Sequence, residues 1–377
     1  MDIYDNLLAW AETQGIKLHG ISPQRIPGRG IGIVATKQLA ANTLILQVPT
    51  TSLRSIETVP KTLSKSYPKD APVHGLLAAT LTLDTTPTFT AWNAVVPTAS
   101  DLTSSLPLAW DPTLHPYLPP AASSLLQKQL TKFTSDHSIF LSSSPAHSDI
   151  PKSTYLYNWL LVNTRTFYHE TAKTKRLRLR PEDRMVLQPV ADLFNHSSSG
   201  CNVSFDKTQF TITTDRAYKE GEEVFICYGR HSNDFLLVEY GFVFDYNQWD
   251  EVGLDELILP KLSAKQKEDL DEFGFLGKYV LDAETVCYRT QVALRILCLP
   301  SRLWLRFVQG EDDGEAHQKK VDELLVSMLR KYVGTIGDTL ETIGSLEDGE
   351  ASQREMLCLR WRQIRRLVDK TITRLES

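Results

Sequence analysis

Apolar residues recur at helical spacing in some stretches of the chain and alternate with polar ones in others. Tyr4, Leu7, Leu8 and Ala11 share one face of a short amphipathic helix over residues 4–14. Helices are also expected around 73–83, 121–140 and 153–170, within a segment, 55–180, that is rich in Ser, Thr, Pro and Leu. Beyond about residue 250 the helical period returns. Val321, Leu324, Leu325, Met328, Leu329 and Tyr332 fall at i, i+3, i+4, i+7, i+8 and i+11, and Leu357, Trp361, Ile364, Val368 and Leu375 continue a similar stripe. Such stripes are expected to pack rather than to bind. Gly334 to Ala351 is weakly periodic and reads as a loop or linker between helices.

Strand character is confined to two places. From Ile31 to Pro49, two short β-branched runs flank the turn-like AANT and follow Gly28, Gly30 and Gly32, which predicts a strand pair behind a glycine-rich approach. Between 185 and 245, VLQPVADLF, FDKTQFTITT and GEEVFICYG read as β, the last two joined by a turn at Lys219 to Glu222.

Length and composition narrow the class. A chain of 377 residues suggests two or three units. A hydrophobic fraction of 42% with 23% charged residues suits a folded chain. Net charge of -5 and a pI near 6.0 argue against a surface built throughout for nucleic acid. The local exception is Lys173 to Arg180, KTKRLRLR, read either as a solvated helix end or loop, or as a patch for acidic segments of a partner. The first residues lack a basic region followed by a long apolar one, and no run of some 18 apolar residues occurs, so neither secretion nor membrane spanning is expected. Cys201, Cys227, Cys287, Cys298 and Cys358 are odd in number and never spaced C-x-x-C, which indicates neither a disulfide framework nor a metal site. A reducing intracellular compartment is expected, cytoplasmic and also nuclear. The N-x-S matches at Asn195 and Asn202 are then accidental.

The polar stretch after VADLF, which reads NHSSSGCN, is therefore a buried polar turn or part of a site. GRGIG near the start, NHS in the middle and EEVFICYGRHSNDFLLVEYGF beyond it resemble, in that order, the SET-domain lysine methyltransferases, in particular the branch typified by the Rubisco large-subunit methyltransferase. The resemblance implies an α+β fold: a SET β-fold of small sheets with a pseudoknot, a helical insertion and an all-α C-terminal domain. The segments expected are 1–54 and 181–249 for the core, 55–180 for the insertion and 250–377 for a substrate-binding domain. It implies S-adenosylmethionine as cofactor, no metal, and a protein substrate: a ribosomal protein, a translation factor or a histone. No nucleic acid or membrane partner and a monomer are expected.

Methyl transfer is an in-line displacement, so a protein must chiefly align donor and amine and exclude water. Only about one lysine side chain in a thousand is neutral at pH 7, and a desolvated aromatic channel favours that form. By the resemblance, Tyr228 is the catalytic phenol, which also meets the cofactor, and Tyr240 is a channel wall. Asn195 and His196 contact the cofactor, and Arg165 pairs with its carboxylate, a task suited to guanidinium. Arg29, Gly30 and Ile31 contact it by main chain, since glycine permits close approach. Relatives carry an acidic residue where Arg29 stands, so no side-chain role carries over there. Phe167 lines the channel. In the histidine-directed minority of the family that position is small and polar, so an aromatic ring implies lysine. A SET-fold binding module without turnover and a histidine methyltransferase are the rival readings.

Overall fold

The computed structural model describes residues 2–170, 172–176 and 179–377; Leu177 and Arg178 of the basic run lie outside the described residues. The chain forms two compact units, Met1–Leu102 with Lys128–Arg230, and Thr103–Gln127 with His231–Ser377. Residues 103–127 of the expected insertion thus group with the C-terminal residues.

The strands of the first unit are β1 (Lys17–Leu18), β2 (Ile21–Ile26), β3 (Gly30–Ala35), β4 (Leu44–Pro49), β5 (Thr166–Tyr168), β6 (Met185–Leu187), β7 (His196–Phe205), β8 (Gln209–Thr213) and β9 (Glu223–Val224). They make small antiparallel sheets in the orders β1-β4-β8-β7, β2-β3-β9 and β5-β6. Val48 stands opposite Phe210 and Leu46 opposite Ile212, and all four are buried. Cross-strand apolar pairs of this kind hold a sheet together. The helices Ile3–Thr13, Val73–Leu83, Pro120–Ser143 and Lys152–Arg165 lie close to where the periodicity put them.

Several expectations need correction. β3 and β4 are not a pair: β3 lies between β2 and β9, and β4 between β1 and β8. Leu39, in the connection, bridges Tyr218 and carries the chain from one sheet to the next. Alternation sets which face is apolar but not which strand lies alongside. β8 does not form a hairpin with β9 either. Asp206 Oδ1 accepts the N–H groups of Thr208 and Gln209, an Asx turn that folds β8 back on β7. The helix expected over 153–170 stops at Arg165, because β-branched and aromatic Thr166, Phe167 and Tyr168 pair with β6 as a strand. VLQPVADLF is strand only to Leu187, since Pro189 has no N–H for a ladder.

The second unit contains β10 (Glu251–Gly253) paired with β11 (Val280–Asp282) and ends in the helices Gln318–Ser345 and Ala351–Glu376. The linker expected over 334–351 is therefore helix as far as Ser345. Glycine in a helix interior costs about 1 kcal/mol against alanine. Here buried Ile336 and Ile343 continue the apolar face of Val321, Leu325, Leu329 and Tyr332, and tertiary packing overrides propensity.

Arg360, on the last helix, is fully enclosed. Its Nε and Nη2 donate to Asp234 at 2.8 and 3.0 Å, and its Nη1 donates to Asp250 at 2.7 Å. Burial raises the Asp250 carboxyl above its ordinary value in spite of the opposing pull of Arg360. Replacing Arg360 with Leu leaves two buried carboxylates without their cation. The expected loss is about 3–5 kcal/mol, read as a lower melting temperature of the full chain. Arg365→Ala, which removes a half-exposed pair with Asp369, is expected to change stability by less than about 1 kcal/mol. Equal melting temperatures for the two variants would contradict this account.

Candidate active site

The site is built where two distant segments run side by side. Ile226 N–H donates to Asn195 O at 3.1 Å, and Cys201 N–H donates to Phe225 O at 2.8 Å. Ile226 is bridged by both His196 and Cys201, so residues 195–201 arch over 225–226. This is the crossing expected of a pseudoknot. Gly200 permits it: a Cβ there would stand 2.6 Å from Phe225 O and 2.8 Å from Ile226 Cα.

Tyr228 emerges from this crossing against His196. Its N–H donates to His196 Nδ1 at 3.0 Å, and the two rings stack with centroids 4.9 Å apart. Nδ1 also lies 3.4 Å from Ile226 O, a contact in which it would have to donate. An amide N–H can only donate, and its contact is the shorter, so Nδ1 is the acceptor and a neutral His196 carries its proton on Nε2. The Tyr228 hydroxyl donates to Phe194 O at 2.6 Å.

Asn195 is held from the other side. Its Nδ2 donates to Glu223 Oε1 at 2.8 Å, while Arg29 Nη1 donates to Glu223 Oε2 at 3.1 Å. Arg29 is mostly exposed, so that ion pair adds little stability. Its geometric effect is to join the β2–β3 turn to the Asn195 side chain. A Cβ on Gly32 would lie 2.7 Å from Glu223 Oε1 and 2.8 Å from Asn195 Nδ2, so this glycine makes room for the pair. Around Gly30, by contrast, an added Cβ meets nothing within 4 Å, which leaves the main chain of Arg29, Gly30 and Ile31 approachable.

Arg165 ends its helix beside the turn that leads to Asn195. Its Nη1 donates to Asp192 O at 2.6 Å and to Asp192 Oδ2 at 3.2 Å. Trp92 Nε1 donates to the same carboxylate at 3.0 and 3.2 Å. Burial raises the Asp192 carboxyl above its ordinary value, with Arg165 and Trp92 opposing. Arg165 Nε is buried with no partner among the described residues. A buried cationic donor left open in this way fits a carboxylate ligand, so the residues present suit the acidic end of S-adenosylmethionine.

Phe167, on β5, is half-buried with its ring edge-to-face against buried Phe210 at 5.4 Å. Tyr240 belongs to the second unit, where it closes the helix Asn233–Tyr240 among the rings of His231, Phe235 and Phe242. Burial, with Glu239 nearby, pushes its phenol up to about 12. The first unit thus brings together Arg29, Asn195, His196 and Tyr228, with Arg165 bonded to the turn before Asn195. Sequence reasoning missed Glu223, Asp192 and Trp92. A lone acid inside the apolar run VADLF was a signal for Asp192, whereas nothing local marked Trp92. Among the described residues no group of three His, Cys, Asp or Glu could hold a metal, and no helix is long and apolar enough to cross a membrane.

Small sheets, an arched crossing and a tyrosine seated on an Asn-His turn define a class. A model of the SET domain matches residues 30–229, and the chain belongs to the SET-domain family. A model of the C-terminal domain of ribosomal lysine N-methyltransferase 2 matches residues 250–374. Ribosomal lysine N-methyltransferase set11 of Schizosaccharomyces pombe is 28% identical over 53% of this chain and 54% of its own length. The chain thus spans about half of that relative. SET domain-containing protein 4 of Homo sapiens is 23% identical over 94% of this chain and 86% of its own length. Among solved structures, the SET domain of LSMT bound to lysine and AdoHcy aligns with a TM-score of 0.68 at 15% identity, covering 99% of this chain and 91% of that one. At that identity the likeness speaks for the fold.

Because the crossing has no room at Gly200, Gly200→Ala is expected to destabilise the first unit by about 1–3 kcal/mol, as overpacking does, and to loosen Tyr228. Gly30→Ala meets no atom but is strained at φ +73. Proteolysis within the 223–230 segment should therefore rise in the first variant only.

Proposed function

We propose that this chain transfers a methyl group from S-adenosylmethionine to the side-chain amine of a lysine in a ribosomal protein. The observation that carries this reading is Tyr228 stacked on the Asn195-His196 turn, with the open donor of Arg165 at the turn before it. The match of residues 250–374 to the C-terminal domain of a ribosomal lysine methyltransferase, and the ribosomal target in the name of set11, favour a ribosomal protein over a translation factor or histone.

S-adenosylmethionine, when bound, supplies an electrophilic methyl carbon. The rest is alignment. Arg165 Nε takes the carboxylate of the amino-acid end, a charge-assisted bond in a site shielded from water. The main chain of Arg29, Gly30 and Ile31, with Asn195 and His196, holds the remainder. The Tyr228 hydroxyl donates a hydrogen bond to Phe194 O, which orients the phenol oxygen to accept a hydrogen bond from the target amine and so aim its nitrogen lone pair. Phe167 acts as a channel wall, and its ring favours a narrow aliphatic side chain that loses its proton in dry surroundings. The proposal includes a monomer, a cytoplasmic and also nuclear location, and no nucleic acid or membrane partner.

Tyr228→Phe removes one hydroxyl from an otherwise unchanged ring. The expected loss is about 2.7–4 kcal/mol of transition-state stabilisation, two to three decades in turnover, with cofactor affinity retained. Radiolabelled methyl transfer to ribosomal subunits, with mass spectrometry of ribosomal proteins from a deletion strain, measures it. Cofactor binding with no transfer to any lysine would leave the binding-module reading, and label on a histidine would leave the histidine reading. Arg165→Ala is expected to raise the dissociation constant for S-adenosylmethionine about tenfold or more by calorimetry. An unchanged constant would remove Arg165 from the cofactor site.

A further inference from the structure

Gln188 is fully buried, yet neither its Nε2 nor its Oε1 has a hydrogen-bond partner among the described residues. Buried amides are nearly always paired, because desolvating one without compensation is costly. The exception has neighbours. The pairing of β5 with β6 ends at Thr166 opposite Leu187, the residues next in sequence to Arg165 and Gln188. Arg165 Nε is likewise a buried donor without a partner among the described residues. A second link joins the same residues: Asp192 N–H donates to Gln188 O at 3.1 Å, and Asp192 O accepts from Arg165 Nη1 at 2.6 Å. Between them Val190 holds a left-handed φ of 75°, which a β-branched residue adopts only under strain. Unpaired polar atoms and backbone strain concentrated in residues 188–192 are what a segment shaped for a ligand shows before the ligand arrives.

We propose that Gln188 is a second ligand, beside Arg165, for the amino-acid end of S-adenosylmethionine. An amide offers a donor group and an acceptor. The amino-acid end presents the complement: a carboxylate to accept from Nε2 and an ammonium to donate to Oε1. The inference rests on the reading of the chain as an S-adenosylmethionine enzyme, and it adds a residue that neither the glycine-rich turn nor the NHS motif marks.

The test is calorimetry on the full chain with two probes, S-adenosylmethionine and 5′-methylthioadenosine, which lacks the amino-acid end. Gln188→Leu is expected to lower affinity for the first about tenfold or more and to leave the second unchanged. Its ligand-free melting temperature should equal or exceed that of the unsubstituted chain, because two unpaired buried polar atoms are gone while the volume is kept. Gln188→Glu keeps the shape and sets a carboxylate against the ligand's own, so it should show the same selective loss should the Leu variant fold poorly. Unchanged affinity for S-adenosylmethionine, or an equal loss on both probes, overturns the proposal. So does a lowered melting temperature with intact binding, the signature of a buried water in that space. Failure of the unsubstituted chain to bind either probe would overturn the cofactor reading as well.

Discussion

The arch of residues 195–201 over 225–226 is the constraint on which the site depends. Two backbone hydrogen bonds, Ile226 N–H to Asn195 O and Cys201 N–H to Phe225 O, hold the segments together, and Gly200 leaves the space between them. Everything nearby inherits its place from that contact. Tyr228 is set against His196 because it follows the crossing by two residues, and Phe194 O lies within reach of its hydroxyl because it precedes it. Glu223 enters from β9 on the near side and draws in Asn195 and Arg29. Segments so far apart along the chain meet only at an entropic cost of loop closure, which the buried sheets on either side must offset.

Arg360 and Arg165 show how differently the structure satisfies one kind of side chain. Arg360 in the second unit spends Nε, Nη1 and Nη2 on Asp234 and Asp250. A buried cation satisfied on every edge holds its unit together and is costly to disturb. Arg165 in the first unit spends only Nη1, on Asp192, and leaves Nε buried and open. Such an incomplete cation weakens the ligand-free protein slightly, and under the proposed function it is the dry, oriented donor for an incoming carboxylate. Trp92, by donating to both oxygens of Asp192, keeps that carboxylate from turning toward Arg165 Nε and closing the opening.

Much of the layout was legible along the chain. The helical stripes at 321–332 and 357–375 are the buried faces of the two long terminal helices, and the helix over 73–83 has the bounds that its pattern set. The motifs GRGIG, NHS and ICYG led to the residues that the first unit gathers. Less legible were the places where local preference and tertiary packing disagree. Gly334, Gly337 and Gly344 suggested a break, but Ile336 and Ile343 had a core to enter and the helix continued. Thr166 to Tyr168 fitted a helical window, yet β6 lay alongside and drew them into a strand.

By itself the sequence determined what is periodic or covalent: which faces are apolar, where Asp206 and the glycines turn the chain, and which residues stand next to one another in the motifs. Only the tertiary structure decided partners. Whether β3 pairs with β4 or with β2 and β9, whether Asn195 meets Glu223, and whether Arg165 keeps an open donor are matters of which surfaces meet. Alternation and spacing constrain each segment alone, whereas a hydrogen bond or an apolar contact is a property of two. Gln188 marks the limit most sharply: nothing in LQPV distinguishes it from a surface glutamine, and only full burial without a partner among the described residues gives it meaning.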